Sequence, residues 1–412
     1  MSSMLKHAVE RIPYYKHLKG EFELSPDTVI SDIKHFPIVT KEILGSMKEQ
    51  FIDPDIPVIK SLHSGGTTMT RVSVNTGKYF ETHKANEYFN IVAGIYPGMR
   101  RFIIARHEAT YRDGGPNEKD IGYEIKRLAG TYFVSSFDFD EEKLIKAYEI
   151  FKKAKPEILK GNSAMLVEFA ESIEKRGWEP LEVPIVHGSD VNMLPEYIKT
   201  LERVFKSKVF NAYGSTETGI VAAQCESGGG MHYIPNLHYL ETVKDGRETA
   251  FGDTGSLMIT SLANKAMPII RYQLGDYATL SDKMCDCGRT YPMIESIDGR
   301  LHEVVNTSIG SIVSVYEIKK VISEFKKIND FQIVQISPDT MELNFECGEA
   351  ELTEEEILKI NEGLTALFEC NMTTKIKYVD SIAKLPSGKI LRVISQKRYE
   401  LAVAEGKEAG SI

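Results

Sequence analysis

The chain has 412 residues, of which 42% are hydrophobic and 26% are charged, and its formal net charge is −9 at pH 7. This length allows two or three domains, and the composition is ordinary for a soluble globular protein. An acidic balance argues against nucleic acid or an anionic membrane as the main partner, so we expect neither.

Targeting and disulfide signals are weak in this sequence. No apolar run approaches the roughly 20 residues that cross a bilayer. The start, Met1-Ser-Ser-Met-Leu-Lys6, lacks the apolar segment of a signal peptide. The five cysteines are an odd number and few for this length, which does not fit a disulfide framework. We therefore expect a cytoplasmic protein.

Up to about residue 300, short apolar runs alternate with amphipathic helical patterns. Residues 102–105, 183–186 and 209–210 are typical of buried strands. Helical spacing of apolar residues predicts helices over 144–151 and 165–173, the second of them capped by Ser163. Strands that alternate with helices predict a mainly parallel sheet with covered faces, and so an α/β fold class.

After residue 300 the pattern changes to that of a compact α+β unit. Apolar residues at helical spacing predict a helix over 315–325, and residues 341–345 alternate like a half-exposed strand. Thr353 and Glu356 form a capping box that opens another helix. We therefore divide the chain into residues 1–299 and residues 300–412.

Two glycine-containing segments of the first part point to phosphate chemistry. In Ser64-Gly65-Gly66-Thr67-Thr68, small residues let backbone N–H groups converge on an anion, although an ordinary turn has the same composition. Asn211-Ala212-Tyr213-Gly214-Ser215-Thr216-Glu217 follows a predicted strand, where α/β sheets bind ligands. Glu217 suits Mg²⁺, which takes one or two carboxylates together with phosphate oxygens. The alternative is a capped turn ahead of a helix.

Three later segments each end in a charged residue, and the last of them is a Pro/Ser/Gly turn. Asp276 ends Arg271-Tyr-Gln-Leu-Gly-Asp276, Arg300 ends Asp298-Gly-Arg300, and Lys389 ends Leu385-Pro-Ser-Gly-Lys389. The two oxygens of an ionised Asp276 can accept a pair of hydroxyls. Arg271 either contacts the same ligand or pairs with a structural acid.

Taken together, the five segments resemble the adenylate-forming superfamily, whose members join a carboxylate to AMP with ATP and magnesium. The resemblance covers nearly the whole chain and implies a large N-terminal α/β domain with a small, mobile C-terminal α+β domain. It implies three catalytic residues, Lys389, Glu217 and Thr216. It also implies an ATP/AMP site formed by Ser64, Gly65, Gly66, Thr67, Thr68, Gly188, Ser189, Asp190, Asn211, Ala212, Tyr213, Gly214, Ser215, Asp276 and Arg300.

Individual roles follow from the same resemblance. Lys389 would bridge the attacking carboxylate and the α-phosphate, where its charge is needed as the two anions meet. Thr216 would donate to the α-phosphate, Tyr213 would stack on adenine, and Arg300 would lie at the hinge between the domains. The sequence departs from the family pattern at Met69 and Arg71 of the phosphate loop, and after Arg300.

The acyl pocket is predicted from the segment His187-Gly188-Ser189-Asp190, which follows a strand and resembles the family segment beside adenine and the acyl group. Gly161 and Ser163, at a loop–helix junction, are expected to border the same pocket. For His187, the alternative is a polar side chain that is merely hydrogen-bonded at a strand end.

A cysteine and histidine cluster indicates the branch of the superfamily. Cys225, His232, Cys285 and Cys287 match the zinc-bearing members of the phenylacetate–coenzyme A ligase-like branch. Three thiolates and one imidazole complete a tetrahedral structural Zn²⁺ with no open position. Cys347 and Cys370, by contrast, are expected to be small apolar residues.

The resemblance implies an ATP-dependent ligase for a small-molecule carboxylic acid, most often aromatic in this branch. Its expected cofactors and co-substrates are ATP, Mg²⁺, coenzyme A and structural Zn²⁺, and a homodimer is compatible with it. One alternative passes the acyl group to an amine or a carrier protein. Another is a degenerate, non-catalytic nucleotide-binding protein.

Overall fold

A computed structural model describes most of the chain. The described residues are 1–63, 72–77, 88–105, 131–135, 141–189, 193, 195–244, 246–300, 304–309, 312–348, 350–382, 391–396 and 399–400. Within them, no helix is long and apolar enough to cross a membrane.

Among the described residues, the helices of the N-terminal part whose two ends are both given fall into two groups. Three short ones precede the sheet and alternate with 3-10 turns at Pro13–Leu18, Ile33–His35 and Lys48–Phe51; they are α1 (Ser2–Arg11), α2 (Val29–Asp32) and α3 (Lys41–Ser46). Three longer ones lie between strands and are α4 (Glu141–Ala154), α5 (Ser163–Lys175) and α6 (Pro195–Phe205).

Most strands of this part belong to one large sheet. A separate antiparallel pair is formed by β1 (Lys60–His63) and β2 (Ser73–Thr76). The large sheet contains β3 (Arg101–Ala105), β4 (Thr131–Ser135), β5 (Ile158–Asn162), β6 (Ile185–Ser189), β7 (Lys208–Ser215), β8 (Gly219–Gln224), β9 (Met231–Tyr233), β10 (His238–Lys244), β11 (Arg247–Glu248), β12 (Thr254–Ser261), β13 (Tyr272–Ser281) and β14 (Met293–Arg300). Their order is β11-β10-β12-β13-β14-β9-β8-β7-β6-β5-β3-β4.

The prediction of a mainly parallel sheet is wrong beyond β7. Strands β4, β3, β5, β6 and β7 are parallel, but every pairing from β7–β8 to β10–β11 is antiparallel. The connection between β7 and β8 consists of residues 216–218 alone. A parallel crossover needs a dozen or more residues, so such a short connection requires an antiparallel neighbour.

Among the described residues, the two largest of several apolar clusters in the N-terminal part lie on the parallel strands and around the first helices. Helices α4, α5 and α6 pack on the parallel strands, for example where the rings of Phe102 and Phe151 lie 4.8 Å apart. Apolar side chains from the first 51 residues form a second cluster with Met267, Ile269, Ile270 and Tyr272. Each large side chain buried in this way contributes about 1.5–3 kcal/mol to folding.

The start of α5 differs by one residue from the prediction. The side chain of Asn162, not that of Ser163, accepts the hydrogen bond from the Ala164 N–H. Ser163 is the first helical residue, which leaves its hydroxyl available for a contact outside the helix. Both residues belong to the types that cap helices, so sequence alone did not distinguish them.

The C-terminal part is a separate α+β domain with its own apolar cluster, whose buried residues run from Val305 to Val393. It contains β15 (Val304–Asn306), β16 (Ile312–Ser314), α7 (Val315–Ile322), β17 (Ile328–Ser337), β18 (Thr340–Cys347), α8 (Glu354–Phe368), β19 (Thr373–Tyr378) and β20 (Val393–Ile394). Four strands form the sheet β19-β18-β17-β20. The predicted capping box of Thr353 and Glu356 is confirmed at α8.

Candidate active site and metal centre

The parallel pairing of β5, β6 and β7 places three predicted site residues side by side. Gly161 pairs with Gly188, and Gly188 pairs with Asn211. A Cβ atom on Gly161 would lie 2.0 Å from the Ile104 carbonyl oxygen, and one on Gly188 would lie 2.1 Å from Met193 Cε. At Gly161 the neighbour is backbone, so only glycine permits this close approach, whereas at Gly188 the flexible end of Met193 would have to move.

Ser163 and Ser189 connect the start of α5 to the end of β6. The hydroxyl of Ser163 donates to the carbonyl oxygen of Ser189 over 3.2 Å. This bond fixes the junction that we expect to border the acyl pocket. Asp190, the next residue of the predicted segment, lies outside the described residues.

His187 is buried on the other side of β6. Successive strand residues point to opposite faces, so His187 and Gly188 face away from each other. Burial, assisted by the charge of Lys160, lowers the pKa of His187 to about 3, so the imidazole is neutral at pH 7. Its Nδ1 atom has no hydrogen-bond partner among the described residues. Its place beside the substrate stays a prediction.

Glu217 is held in a hydrogen-bonded turn directly after β7. The Ser215 hydroxyl accepts from the backbone N–H groups of Glu217 and Thr218, over 3.1 and 3.2 Å. From β10, His238 Nε2 donates to the Thr218 carbonyl oxygen over 3.0 Å. Glu217 is only 4% exposed, whereas Thr216 beside it is half-buried. A buried carboxylate next to an accessible hydroxyl is compatible with the predicted cation and phosphate contacts.

Two tyrosines contact the two acids of the site. Tyr213 donates its hydroxyl to Asp276 Oδ2 over 2.7 Å, and Tyr272 donates to Glu217 Oε1 over 3.3 Å. Burial, and then the neighbouring Glu217 charge, raises the pKa of Tyr272, so its hydroxyl stays a donor. The sequence indicated neither contact.

The two arginines predicted near the nucleotide have different surroundings. Arg300 is the Cα partner of Asp276 in the β13–β14 pairing, so the predicted hinge and the predicted ribose acid adjoin. Arg271 donates to Glu241 over 2.6 Å and to the carbonyl oxygens of Lys34 and Phe36. For Arg271, the alternative of pairing with a structural acid is therefore confirmed.

Four predicted metal ligands converge at one point. The ligand atoms of Cys225, His232, Cys285 and Cys287 all lie within 4.8 Å of one another. Cys225 Sγ and Cys285 Sγ are 3.6 Å apart, and Cys287 Sγ lies 3.3 Å from His232 Nε2. Ligands bound at about 2.0–2.3 Å in a tetrahedron are separated by similar distances, whereas a disulfide would bring two sulfurs to about 2.05 Å.

Neighbouring groups orient these ligands. The Nδ1 atom of His232 donates to the Tyr291 carbonyl oxygen over 3.0 Å. The proton is therefore on Nδ1, and the lone pair of Nε2 is available to a metal ion. Arg289 pairs with Glu226 over 2.8 Å and so joins the two ligand-bearing segments. Burial disfavours the Cys287 thiolate, but hydrogen bonds from Arg289 outweigh it and lower the pKa of Cys287 to about 6. This donor set fits Zn²⁺.

Two of the predicted segments fall outside the described residues. They are the phosphate loop, Ser64 to Thr68, and the turn that carries Lys389. The side chain of Arg300 is likewise not described. The described residues thus include those predicted to bind adenine, ribose and magnesium, namely Tyr213, Asp276 and Glu217. They do not include the predicted phosphate loop or Lys389.

Comparisons with known sequences find relatives over most of the chain. A phenylacetate–coenzyme A ligase of Thermus thermophilus is 25% identical over 406 residues, covering 92% of this chain and 88% of the relative. Protein CapK of Staphylococcus aureus is 20% identical over 91% of this chain and 83% of its own length. A family model described as the CapK C-terminal domain matches residues 305–396.

Comparisons with solved structures support the fold. A 2-hydroxyisobutyryl-CoA ligase in the postadenylation state, in complex with 2-HIB-AMP, has a TM-score of 0.73 and 17% identity, covering 98% of this chain and 90% of that one. ATP-bound MatB from Rhodopseudomonas palustris has a TM-score of 0.58 and 16% identity, covering 85% of this chain and 70% of that one. At these identities the likeness establishes the shared fold alone.

Proposed function

Because the chain belongs to the adenylate-forming superfamily, in its phenylacetate–coenzyme A ligase-like branch, we propose that it converts a carboxylic acid to an acyl adenylate and then to a coenzyme A thioester. The observation that carries this proposal is the placement of Glu217 directly after β7, beside the hydrogen-bonded pair of Tyr213 and Asp276, in a chain similar to phenylacetate–coenzyme A ligases over most of its length.

In the first step, a carboxylate oxygen of the acid attacks the α-phosphorus of ATP, and pyrophosphate leaves. Both reactants are anionic, so the site must supply positive charge and fixed donors rather than a strong base. Asp276 would accept the ribose hydroxyls, and Thr216 would donate to the α-phosphate. Glu217 would hold Mg²⁺, which neutralises phosphate charge when bound. Lys389 would lie between the carboxylate and the α-phosphate.

In the second step, a thiol sulfur attacks the acyl carbon, and AMP leaves. We propose that residues 300–412 rotate between the steps to remove Lys389 and admit the acceptor. The separate apolar cluster of the C-terminal domain supports such a movement. Residues 305–396 match a family model named for CapK rather than for a ligase, so an amine or carrier-protein acceptor is the second candidate.

The acid is proposed to be aromatic, as the names of the phenylacetate–coenzyme A ligase relatives suggest, although the 2-hydroxyisobutyryl-CoA ligase acts on an aliphatic acid. We therefore suggest ATP–pyrophosphate exchange over a panel of aromatic, aliphatic and hydroxy acids, followed by product masses with and without coenzyme A. AMP and pyrophosphate are the expected products. ADP and phosphate would contradict adenylation. A homodimer stays a prediction, which light scattering can test.

We expect Glu217→Gln to weaken magnesium-dependent ATP binding at least tenfold, because the change removes a ligand charge at nearly constant shape. Titration calorimetry of ATP at several Mg²⁺ concentrations measures this effect. Glu356→Gln, the same change at the capping box of the C-terminal domain, is the matched control. Magnesium dependence that is equal in wild type and Glu217→Gln would remove Glu217 from its role.

We also propose that Cys225, His232, Cys285 and Cys287 bind a structural Zn²⁺. Cys225 follows β8, His232 lies in β9, and the other two cysteines precede β14. The ion would therefore fasten the segment after Glu217 to the strand that ends at Arg300. All four positions of a tetrahedral ion are filled by the protein, which leaves none for a catalytic water.

A further inference from the structure

Tyr272 contacts the acid that we assign to magnesium, although its hydroxyl takes no part in either chemical step. Its side chain is fully buried, and its hydroxyl donates to Glu217 Oε1 over 3.3 Å. A carboxylate has two oxygens, so a donor on Oε1 restrains the rotation of the group and leaves Oε2 available to a cation. Partners of this kind orient metal ligands in many sites.

The backbone of Tyr272 is itself fixed by the N-terminal segment. Val39 donates its N–H to the Arg271 carbonyl oxygen over 3.1 Å, and its own carbonyl oxygen accepts from the Gln273 N–H over 2.9 Å. These two bonds enclose Tyr272 in a parallel bridge with Val39. The Arg271 guanidinium adds bonds to the carbonyl oxygens of Lys34 and Phe36, each of 3.0 Å.

Apolar packing around the ring completes this support. Tyr272 belongs to the cluster that contains Phe36, Val39 and Phe51 of the N-terminal segment. A ring that is fully buried in such a cluster has little freedom to rotate, because protein interiors are close-packed. The orientation of the Tyr272 hydroxyl is therefore set by residues distant in sequence from the site.

We propose that Tyr272 is a positioning residue, which holds the Glu217 carboxylate in the orientation needed for its divalent cation, and that residues 34–39 brace Tyr272 for this task. The inference rests on the proposed role of Glu217. It adds a function for the N-terminal segment, which would otherwise serve packing alone.

The test compares Tyr272→Phe with Tyr15→Phe. Both tyrosines are fully buried in the same cluster, but the Tyr15 hydroxyl accepts from the Ile270 N–H and does not contact Glu217. Calorimetry of ATP binding at increasing Mg²⁺ needs no knowledge of the acid. We expect Tyr272→Phe to raise the Mg²⁺ concentration for half-maximal ATP binding about tenfold. Tyr15→Phe should lower the melting temperature and leave that concentration unchanged.

Glu217→Gln separates failure of this inference from failure of the proposed function. If Glu217→Gln alters magnesium dependence and Tyr272→Phe does not, the positioning role is wrong while the assignment of Glu217 stands. Equal shifts in Tyr15→Phe and Tyr272→Phe would show general loosening of the cluster and would also overturn the inference. If Glu217→Gln has no effect, the magnesium assignment and the inference both fail.

Discussion

Replacement of Lys389 by alanine is expected to slow adenylation by about two to three orders of magnitude, the usual cost of removing one preorganised charge or donor from a transition state. In its proposed role, Lys389 supplies charge where the carboxylate meets the α-phosphate, so the loss should be confined to the first step. ATP–pyrophosphate exchange with a substrate acid measures that step. Thioester formation from supplied acyl-AMP measures the second, which we expect to remain largely intact.

Lys359→Ala is the matched control for this experiment. Lys359 lies on α8 in the same C-terminal domain and pairs with the exposed Glu355. Its replacement should affect neither step. Equal loss of both steps in Lys389→Ala would show instead that the C-terminal domain had been damaged, and would contradict a role restricted to adenylation.

The parts of the fold that were predictable are those whose signals are local. The capping box of Thr353 and Glu356 specified the start of α8, because both partners lie within one turn. The alternation of strands and helices correctly predicted the parallel strands β3, β6 and β7, whereas β4 and β5 were not predicted and Gly161, expected at a loop–helix junction, lies in β5. The antiparallel half was missed, because its strands pair according to connection lengths and not according to apolar periodicity.

The site shows the same division between local and long-range information. Asp276 and Glu217 were predicted from short contiguous motifs. The four candidate metal ligands were predicted as two separate segments, which the structure brings together. The hydroxyl of Tyr272 reaches Glu217 across 55 positions of sequence, and Tyr213 reaches Asp276 across 63. Sequence spacing contains no signal for such pairs. They become visible only when β7 and β13 are placed in one sheet.

Loss of the metal centre is expected to have the largest effect on stability. The double variant Cys285→Ser with Cys287→Ser removes two of the four ligands and should abolish zinc binding. Binding of a structural zinc is coupled to folding, so several kcal/mol should be lost. At about 2–4 °C per kcal/mol, we expect the melting temperature to fall by about 10 °C or more. Metal analysis of the wild-type protein should find about one zinc per chain.

The control for this experiment is Cys347→Ser with Cys370→Ser. It changes two half-buried cysteines of the C-terminal domain that are not among the four predicted metal ligands. It should retain the zinc. A chelator should reproduce the effect of the ligand variants on wild-type protein. It should lower the melting temperature before ATP binding is lost, because the proposed ion would fasten strands and would not touch the nucleotide. Wild-type protein that is free of metal and equally stable would instead make Cys225, Cys285 and Cys287 ordinary core residues.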